Sequence, residues 1–448
     1  MGDPNTGSAA ATKTVQTLDT HGNLTQSQAF DYGNLSTPAR TYNYSYLTGS
    51  NYTSRYIYNR LSSVSMTPAG GSAITLVTKS YDNGYPPLQA TPAGMHDSNY
   101  GTSFLYRGNV TQTTGLSSSD TRYFAYDAAG VLVQTTDALG HTVAIQANSD
   151  SHYSLPGTVT PNGNTTLQTS MSYASSFAVT QVTGPNGAQG TTTYDSYGRP
   201  SQTQIPDGAV TTYTYNYNPT YQVATANGRW TKTTLDGFGR PIQVDMGHDA
   251  VSDANTVSRV VTQYAPCACS PLLKVWRVSQ PYNPTSGIPV WTTYIYDGSG
   301  RTLTVTTPDG ASHTNTSYAG NSTTVTDATL KWKTSTVDAF GNLTLMTEPN
   351  PAGGANWTTN YAYNALNQLT TVNHAAQQRD ADAHVRVYGR GHEQRHQSGK
   401  RHGDVHVRCD ASRDHTHRRQ RATNAVRLRC LRARDGGAAR VSLGRHFH

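Results

Sequence analysis

YDGSGRTLTVTTPDG, residues 296 to 310, is the stretch that decides the fold, because the chain repeats it. Clear copies are YDAAGVLVQTTDALG from Tyr126 and YDSYGRPSQTQIPDG from Tyr194, and degenerate copies begin at Leu235, Val337 and Tyr363. The offsets between successive copies are 68, 41, 61, 41 and 26 residues. Most of these offsets are close to whole multiples of about 20, and a fixed period of that size indicates a repeat architecture. In such proteins each unit buries its apolar face against its neighbours.

Each copy predicts a strand, a tight turn and a second strand. The aspartate after the tyrosine can accept bonds from nearby backbone amides, and the glycine three residues later can take a positive φ, as Asp297 and Gly300 are spaced to do. The following strand alternates, with Leu303 and Val305 on one face and threonines on the other. Calcium binding by the repeated aspartates is an alternative, but the turn explains every copy with one mechanism.

Tyrosines alternate with small polar residues in TTYTYNYN, which starts at Thr211. This period of two predicts that the rings of Tyr213, Tyr215 and Tyr217 share one face of a strand. Such rows usually form the packing layer of a sheet. A surface that stacks on sugar rings remains the alternative.

The composition favours many short strands joined by turns. Hydrophobic residues make up 35% of the 448 residues, mean hydropathy is -0.60, and the chain contains 29 Tyr and 40 Gly. Glu348 is the only glutamate in residues 1 to 374, so long helices lack their usual exposed residues. We therefore predict an all-β protein whose antiparallel strands and hairpins form a curved β-strip.

The repeats resemble the YD repeats of the RHS (rearrangement hot spot) family, which is shared by bacterial polymorphic toxins, insecticidal toxin-complex C proteins and animal teneurins. The resemblance covers roughly residues 19 to 372, from DTHGNLTQ at Asp19, with a further copy at Tyr106. It implies a β-strip wound into a hollow shell, which in toxin members encloses a C-terminal toxic domain. The repeats themselves would then carry no chemistry, so neither catalytic, cofactor-binding nor metal-binding residues are expected in them, and no cofactor.

This chain departs from the complete family pattern. Toxin members end their shells with paired DPxG motifs, whereas the Asp-Pro pair here is Asp3 and Pro4. We therefore expect an open fragment of a shell. Its expected partners are an enclosed effector domain or the remaining shell segments of a longer protein, with cell-surface glycans as the alternative.

The cysteines do not form a disulfide framework. Cys267 and Cys269 lie in a CAC sequence, and a bond between them would close a small ring. We expect two thiols there, since metal or redox use of this pair would need further ligands.

The basic charge belongs to the tail. Residues 375–448 carry 17 Lys and Arg against 7 Asp and Glu, whereas residues 1–374 carry 17 against 20. Within the tail, HEQRHQSGKRH matches the HExxHxxGxxH zinc-protease motif, with His392, His396 and His402 as ligands and Glu393 as general base. The stretch has no apolar face to pack its helix, and the last methionine, Met346, precedes it, so we expect no enzyme. We also expect no nucleic-acid partner, although arginine-rich runs can bind phosphates.

A frameshift explains the tail better. Residues 397–409, read one base out of frame, permit NPENGTVTYTYDA, and residues 424–435 permit TQYAYDAYGRVT. Both strings are full repeats, and their tyrosines fall at positions 407 and 428, which are 21 residues apart. We therefore predict that residues 375–448 are an unstructured frameshift product. Sequencing the genomic DNA across codons 370 to 385 tests this, because an intact reading frame would contradict it.

The predicted organisation has three parts: an extension over residues 1–18, the repeat region over 19–374 and the tail over 375–448. No apolar stretch reaches the roughly 20 residues of a membrane span, and the N-terminus lacks a signal-peptide pattern. From the resemblance we expect an extracellular or cell-surface location.

Overall fold

The computed structural model describes residues 10–84, 87–91, 95–267 and 269–375. These residues form one open, all-β sheet of 28 antiparallel strands, which confirms the predicted fold class. Each strand from β2 to β27 pairs with the strand before it and the strand after it along the chain. The described part of the chain is therefore a strip built of consecutive hairpins.

The strand bounds follow in chain order. Strands β1 to β10 are Lys13–Leu18, Leu24–Phe30, Arg40–Tyr46, Leu61–Pro68, Ile74–Tyr81, Val110–Thr114, Arg122–Tyr126, Leu132–Asp137, Thr142–Ala147 and Pro156–Pro161. Strands β11 to β19 are Thr169–Tyr173, Val179–Thr183, Gln189–Tyr194, Pro200–Gln204, Val210–Tyr217, Thr220–Ala226, Arg229–Leu235, Pro241–His248 and Thr256–Cys267. Strands β20 to β28 are Ser270–Ser279, Trp291–Tyr296, Thr302–Thr306, His313–Ala319, Ser322–Thr326, Trp332–Val337, Leu343–Glu348, Trp357–Tyr363 and Leu369–Ala375.

Helical structure in the described residues is confined to short segments. The α-helix α1 spans Ser50–Thr53, and three 3-10 helices span Ser98–Tyr100, Ser118–Asp120 and Thr165–Leu167. None of the helices in this part of the chain is long and apolar enough to cross a membrane.

The strip has two edges, and they differ. We call the edge formed by the turns after odd-numbered strands the first edge, and the edge formed by the turns after even-numbered strands the second edge. The Tyr-Asp turns, such as those at Asp195, Asp236 and Asp297, all follow odd-numbered strands and lie on the first edge. The intervening turns, such as those at Asp207 and Asp309, lie on the second edge.

The sheet begins and ends close to the limits of the repeat in the sequence. Strand β1 starts at Lys13, six residues before the first recognisable copy at Asp19, and pairs with β2. Strand β28 ends at Ala375. The zinc-protease motif at His392 and nearly all of the predicted frameshifted tail lie outside the described residues.

Most side chains on the strip are half-buried, because a single sheet has no second layer to cover it. One buried region lies around β16 to β19, where Val223 is 4% exposed and Trp230 is 3% exposed. Here Arg259 forms two hydrogen bonds to Asp245, with Nε–Oδ1 at 2.7 Å and Nη2–Oδ2 at 3.0 Å. Asp245 is only 2% exposed, so this paired geometry is needed to offset the loss of hydration of its charge.

The expectation of two thiols at the CAC sequence was wrong. Cys267 and Cys269 form a disulfide at the turn between β19 and β20, with their Cα atoms 5.1 Å apart. That spacing is within the range that a disulfide can bridge. A bond between these residues closes a small ring, but the hairpin reverses the chain at Cys267, where that residue pairs with Ser270, and brings the two side chains together.

Candidate functional surface

The Tyr-Asp turn is a compact hydrogen-bonded unit. At Asp297 the backbone N–H donates to the Arg301 carbonyl at 2.9 Å, and the Gly300 N–H donates to the Asp297 carbonyl at 3.0 Å. The Asp297 carboxylate accepts from the amides of Ser299 and Arg301 at 2.9 and 2.8 Å. Gly300 has a φ of 81°, and a register shift follows Ile295. This is a hairpin loop with a G1-type bulge, and it confirms the predicted roles of the aspartate and the glycine.

The carboxylate also binds the side chain that follows the glycine. Arg240 donates from Nε to Asp236 Oδ2 at 2.8 Å, and this hydrogen bond, with the amide bonds, lowers the pKa of the Asp236 carboxyl. Arg199 and Arg301 bind Asp195 and Asp297 in the same way. Since both carboxylate oxygens are used inside the turn, the structure favours the turn over the ion-binding alternative. The described residues contain no cluster of three or more His, Cys, Asp or Glu that could hold a metal ion.

The tyrosine hydroxyls complete the ladder at the first edge. Tyr296 donates to the Val275 carbonyl at 2.8 Å, just beyond the last ladder pair between those strands, Arg277 with Thr293. No residue of β21 pairs with Val275 in the ladder, and the hydroxyl donates to its carbonyl instead. Seven further tyrosines make the equivalent bond to the preceding strand: Tyr46, Tyr81, Tyr173, Tyr194, Tyr215, Tyr264 and Tyr318.

The arginines link each turn to the next pair of strands. Arg301 lies 4.2 Å above the ring of Tyr318, which belongs to the next odd-numbered strand. Arg199 stacks on Tyr215 at 4.2 Å and Arg240 on Tyr264 at 4.0 Å. Such guanidinium–ring contacts contribute about 0.5–1 kcal/mol each at exposed sites. At these three turns the first edge therefore carries linked carboxylate, guanidinium and phenol groups.

The tyrosines of β15, which were predicted to share one face of the strand, bond to neighbouring strands and turns of the sheet. The Tyr215 hydroxyl bonds the Pro200 carbonyl at 2.8 Å, and that of Tyr213 lies 3.2 Å from Thr203 Oγ1. Tyr217 is 63% exposed, and its hydroxyl accepts from Arg199. The rings thus serve the sheet, and no observation favours the sugar-stacking alternative.

A contact that joins distant parts of the chain is the most informative feature of the surface. We call it the seam, and it brings residues of the second edge near β2 and β3 onto the first-edge turns after β25 and β27. Asp31 Oδ1 accepts from the Ala339 amide at 2.8 Å. Arg40 lies 3.7 Å above the ring of Phe340 and donates to Asn367 Oδ1 at 2.6 Å. The strip therefore curls until its second edge meets its own first edge.

Arg40 is held firmly in the seam. It is only 7% exposed, although it is a charged residue. Asn342 donates to the same Asn367 Oδ1 at 2.9 Å, so the two first-edge turns and Arg40 form one network. Sequence reasoning did not single out Asp31, Arg40 or Asn367, because their partners are some 300 residues away and leave no local pattern.

The first-edge turn at Asp127 is also covered, in this case by a loop. The Ala128 amide, next to Asp127, donates to the Gln89 carbonyl at 2.9 Å, and Ala128 is 1% exposed. Gln89 belongs to the long loop between β5 and β6, which folds back over the edge. Arg107 fixes that loop by donating to the carbonyls of Phe104 and Ala128 at 2.8 and 2.9 Å.

The fold matches solved structures of a toxin complex. The crystal structure of TcdB2-TccC3 aligns with 81% of this chain at 12% identity and a TM-score of 0.57. The strip has the fold of that region of the toxin complex. The match covers 26% of the TcdB2-TccC3 chain, so this chain spans about a quarter of its length.

Two other structures of toxin complexes align less well. TcdB2-TccC3 without its hypervariable C-terminal region covers 84% of this chain at 13% identity, with 21% of its own chain matched and a TM-score of 0.37. A Photorhabdus luminescens Tc holotoxin pore covers 81% at 11% identity, with 23% of its own chain matched and a TM-score of 0.34. These scores add nothing to the fold assignment. No protein-family profile and no curated protein matches the chain.

Proposed function

We propose that this chain is a structural repeat module of a secreted or cell-surface protein and forms part of the wall of a shell that encloses a toxin or effector domain. The observation that carries the proposal is the seam at Asp31 and Arg40, where one edge of the strip closes against the other. These contacts hold the open sheet in a curl, and a curled sheet of this kind can form part of the wall of a shell. The fold match to TcdB2-TccC3 supports a toxin-related role for that wall.

The rest of the wall would come from other segments of a longer protein. The chain corresponds to 26% of the TcdB2-TccC3 chain. In a repeat architecture each unit contacts mainly its neighbours, so a segment can keep the local structure of the whole. The partners in this proposal are therefore the remaining wall segments and the enclosed domain.

In this proposal the module performs no chemistry of its own. The charged and phenolic groups of the first edge bind one another, as Asp236 binds Arg240. The zinc-protease alternative at His392, Glu393, His396 and His402 is tested by metal analysis and by proteolysis assays with a chelator. Stoichiometric zinc with chelator-sensitive cleavage would contradict the non-enzymatic role.

Protease protection tests the wall. In the longer gene product that contains this segment, the enclosed domain should resist limited proteolysis. Combined Asp31→Ala and Arg40→Ala substitutions should expose it, because they remove the two second-edge side chains that make the three contacts of the seam. Asp150→Ala is the matched control, since Asp150 is exposed and lies outside the seam. Equal digestion of the enclosed domain in all three proteins would refute the proposal.

A further inference from the structure

The first-edge turns share a position against which another part of the chain can pack. This position is covered at some turns and exposed at others. The residue after the aspartate has an amide that points out of the turn, and the next residue is often aromatic. At the seam both are covered: the Ala339 amide by Asp31 and the Phe340 ring by Arg40.

The same position is open at two turns in the middle of the strip. Tyr197 is 74% exposed and Phe238 is 66% exposed. The amides before them, those of Ser196 and Gly237, have no acceptor among the described residues, and both residues are exposed.

These two tips thus offer an unbonded N–H donor and a largely exposed ring. Each ring lies near the arginine of its own turn, Arg199 at 5.0 Å from Tyr197 and Arg240 at 5.1 Å from Phe238. Within the described residues, however, no second-edge group covers either tip as Asp31 and Arg40 cover the seam.

The second edge offers the missing groups elsewhere along the strip. Arg40 is the first residue of β3, directly after a second-edge turn. Arg122 and Arg229 hold the same position at the starts of β7 and β17, and both are exposed. Arg229 has a carboxylate close by, since it pairs with the residue that precedes Asp249. Asp137, the ladder partner of Arg122, instead accepts bonds on both carboxylate oxygens within its own turn. No ion pair joins either arginine to a carboxylate within the described residues.

We infer that the first edge of one copy of this chain binds the second edge of another copy, through the contacts that the seam makes within one chain. The tips at Tyr197 and Phe238 receive arginines of the Arg122 and Arg229 class, and Asp249, whose Oδ1 makes no hydrogen bond within the described residues, accepts an open turn amide. The two surfaces differ, so the contact is head-to-tail and copies add in an open series. This self-association does not depend on the proposed wall function.

Sedimentation velocity over a range of concentrations tests the inference with the full chain. The natural chain should shift to larger species as concentration rises. Combined Tyr197→Ser and Phe238→Ser, the tip variant, should weaken association by about tenfold or more, because it removes two guanidinium–ring contacts. Ile295→Ser is the matched control: Ile295 is 53% exposed but lies within β21 rather than at a turn tip. Circular dichroism shows whether each variant keeps the β fold.

Mixing decides whether the contact is head-to-tail. Arg122→Glu combined with Arg229→Glu, the arginine variant, should associate at least as weakly as the tip variant, because its second edge no longer binds. A mixture of the tip and arginine variants should form dimers and no larger species, since only one productive junction remains per pair. A natural chain that stays monomeric at every concentration would overturn the inference. So would association that the tip variant leaves intact, or a mixture of the variants that stays monomeric.

Discussion

One of the most tightly packed positions of the strip is a glycine, because there is no room for a side chain. Gly247 lies in β18 beneath the indole of Trp230, and a Cβ built there would meet the ring and the Asn255 carbonyl below normal contact distance. The position therefore requires glycine because of space rather than because of backbone conformation. Trp230 in turn donates from its indole N–H to the His248 carbonyl at 3.1 Å, so it cannot move aside without losing that bond.

Gly247→Ala should destabilise the protein by about 1–3 kcal/mol, the usual cost of overpacking. The measurement is the urea midpoint followed by circular dichroism. Gly298→Ala is the control, because Gly298 is exposed and has nothing within 4 Å of its built Cβ. Equal stability of the two variants would show that Trp230 relaxes freely.

The tyrosine hydroxyl makes a separable contribution to stability. Tyr296→Phe removes the bond to the Val275 carbonyl and should cost about 0.5–1.5 kcal/mol, because the carbonyl loses its donor. Tyr294→Phe is the matched control: its ring stacks near that of Tyr296, but its hydroxyl makes no hydrogen bond in the described part of the chain. Urea unfolding of both variants measures the difference. A loss as large in Tyr294→Phe would mean that the ring, rather than the hydroxyl, is perturbed.

The hairpin is the element that the sequence predicts well. The alternation around Leu303 and the spacing of Asp297 to Gly300 are local, and local backbone chemistry decides such turns. The tyrosine bonds were not predicted, because each joins a tyrosine to a carbonyl of the preceding strand some 15 to 23 residues earlier, beyond any local pattern. The disulfide at Cys267 was missed because its ring was considered without the hairpin that closes it.

The turn carboxylates should make the strip sensitive to acid. Binding by Arg240 lowers the pKa of Asp236 in the folded protein, whereas an unfolded aspartate titrates at about 4. The stabilisation is therefore present above about pH 4 and is lost as pH falls through the folded pKa.

Asp236→Asn should lower stability at neutral pH and reduce the further loss between neutral pH and pH 3, since one linked proton is removed. Urea titrations at several pH values measure both effects. Asp150→Asn serves as the control, because the Asp150 side chain makes no bond or ion pair with other described residues. An Asp236→Asn protein with the same acid response as the natural chain would show that the Arg240 contact does not hold the turn.

At the scale of the molecule, stability comes from two kinds of contact, which differ in how far apart their residues lie in the sequence. Each hairpin bonds its sequence neighbours, as in other repeat proteins, and this order can form step by step along the strip. The seam joins residues 308 and 327 positions apart, so it can form only after the strip has curled. No local sequence pattern specifies that closure, which is why the sequence predicted a curved strip but not where its edges meet.

Removing the Asp31 contact should therefore loosen the turn at residues 338–342 and leave the equivalent turn at residues 127–131 unchanged. In Asp31→Ala the Ala339 amide loses its acceptor, and the turn at residues 338–342 should exchange its hydrogens roughly ten- to hundredfold faster, because a charge-assisted hydrogen bond is lost. The turn at residues 127–131 is the internal control, since Gln89 still covers the Ala128 amide. Peptide-resolved hydrogen–deuterium exchange measures both in one sample. Faster exchange in both turns would mean that the whole strip has loosened, and unchanged exchange in both would mean that Arg40 alone holds the edges together.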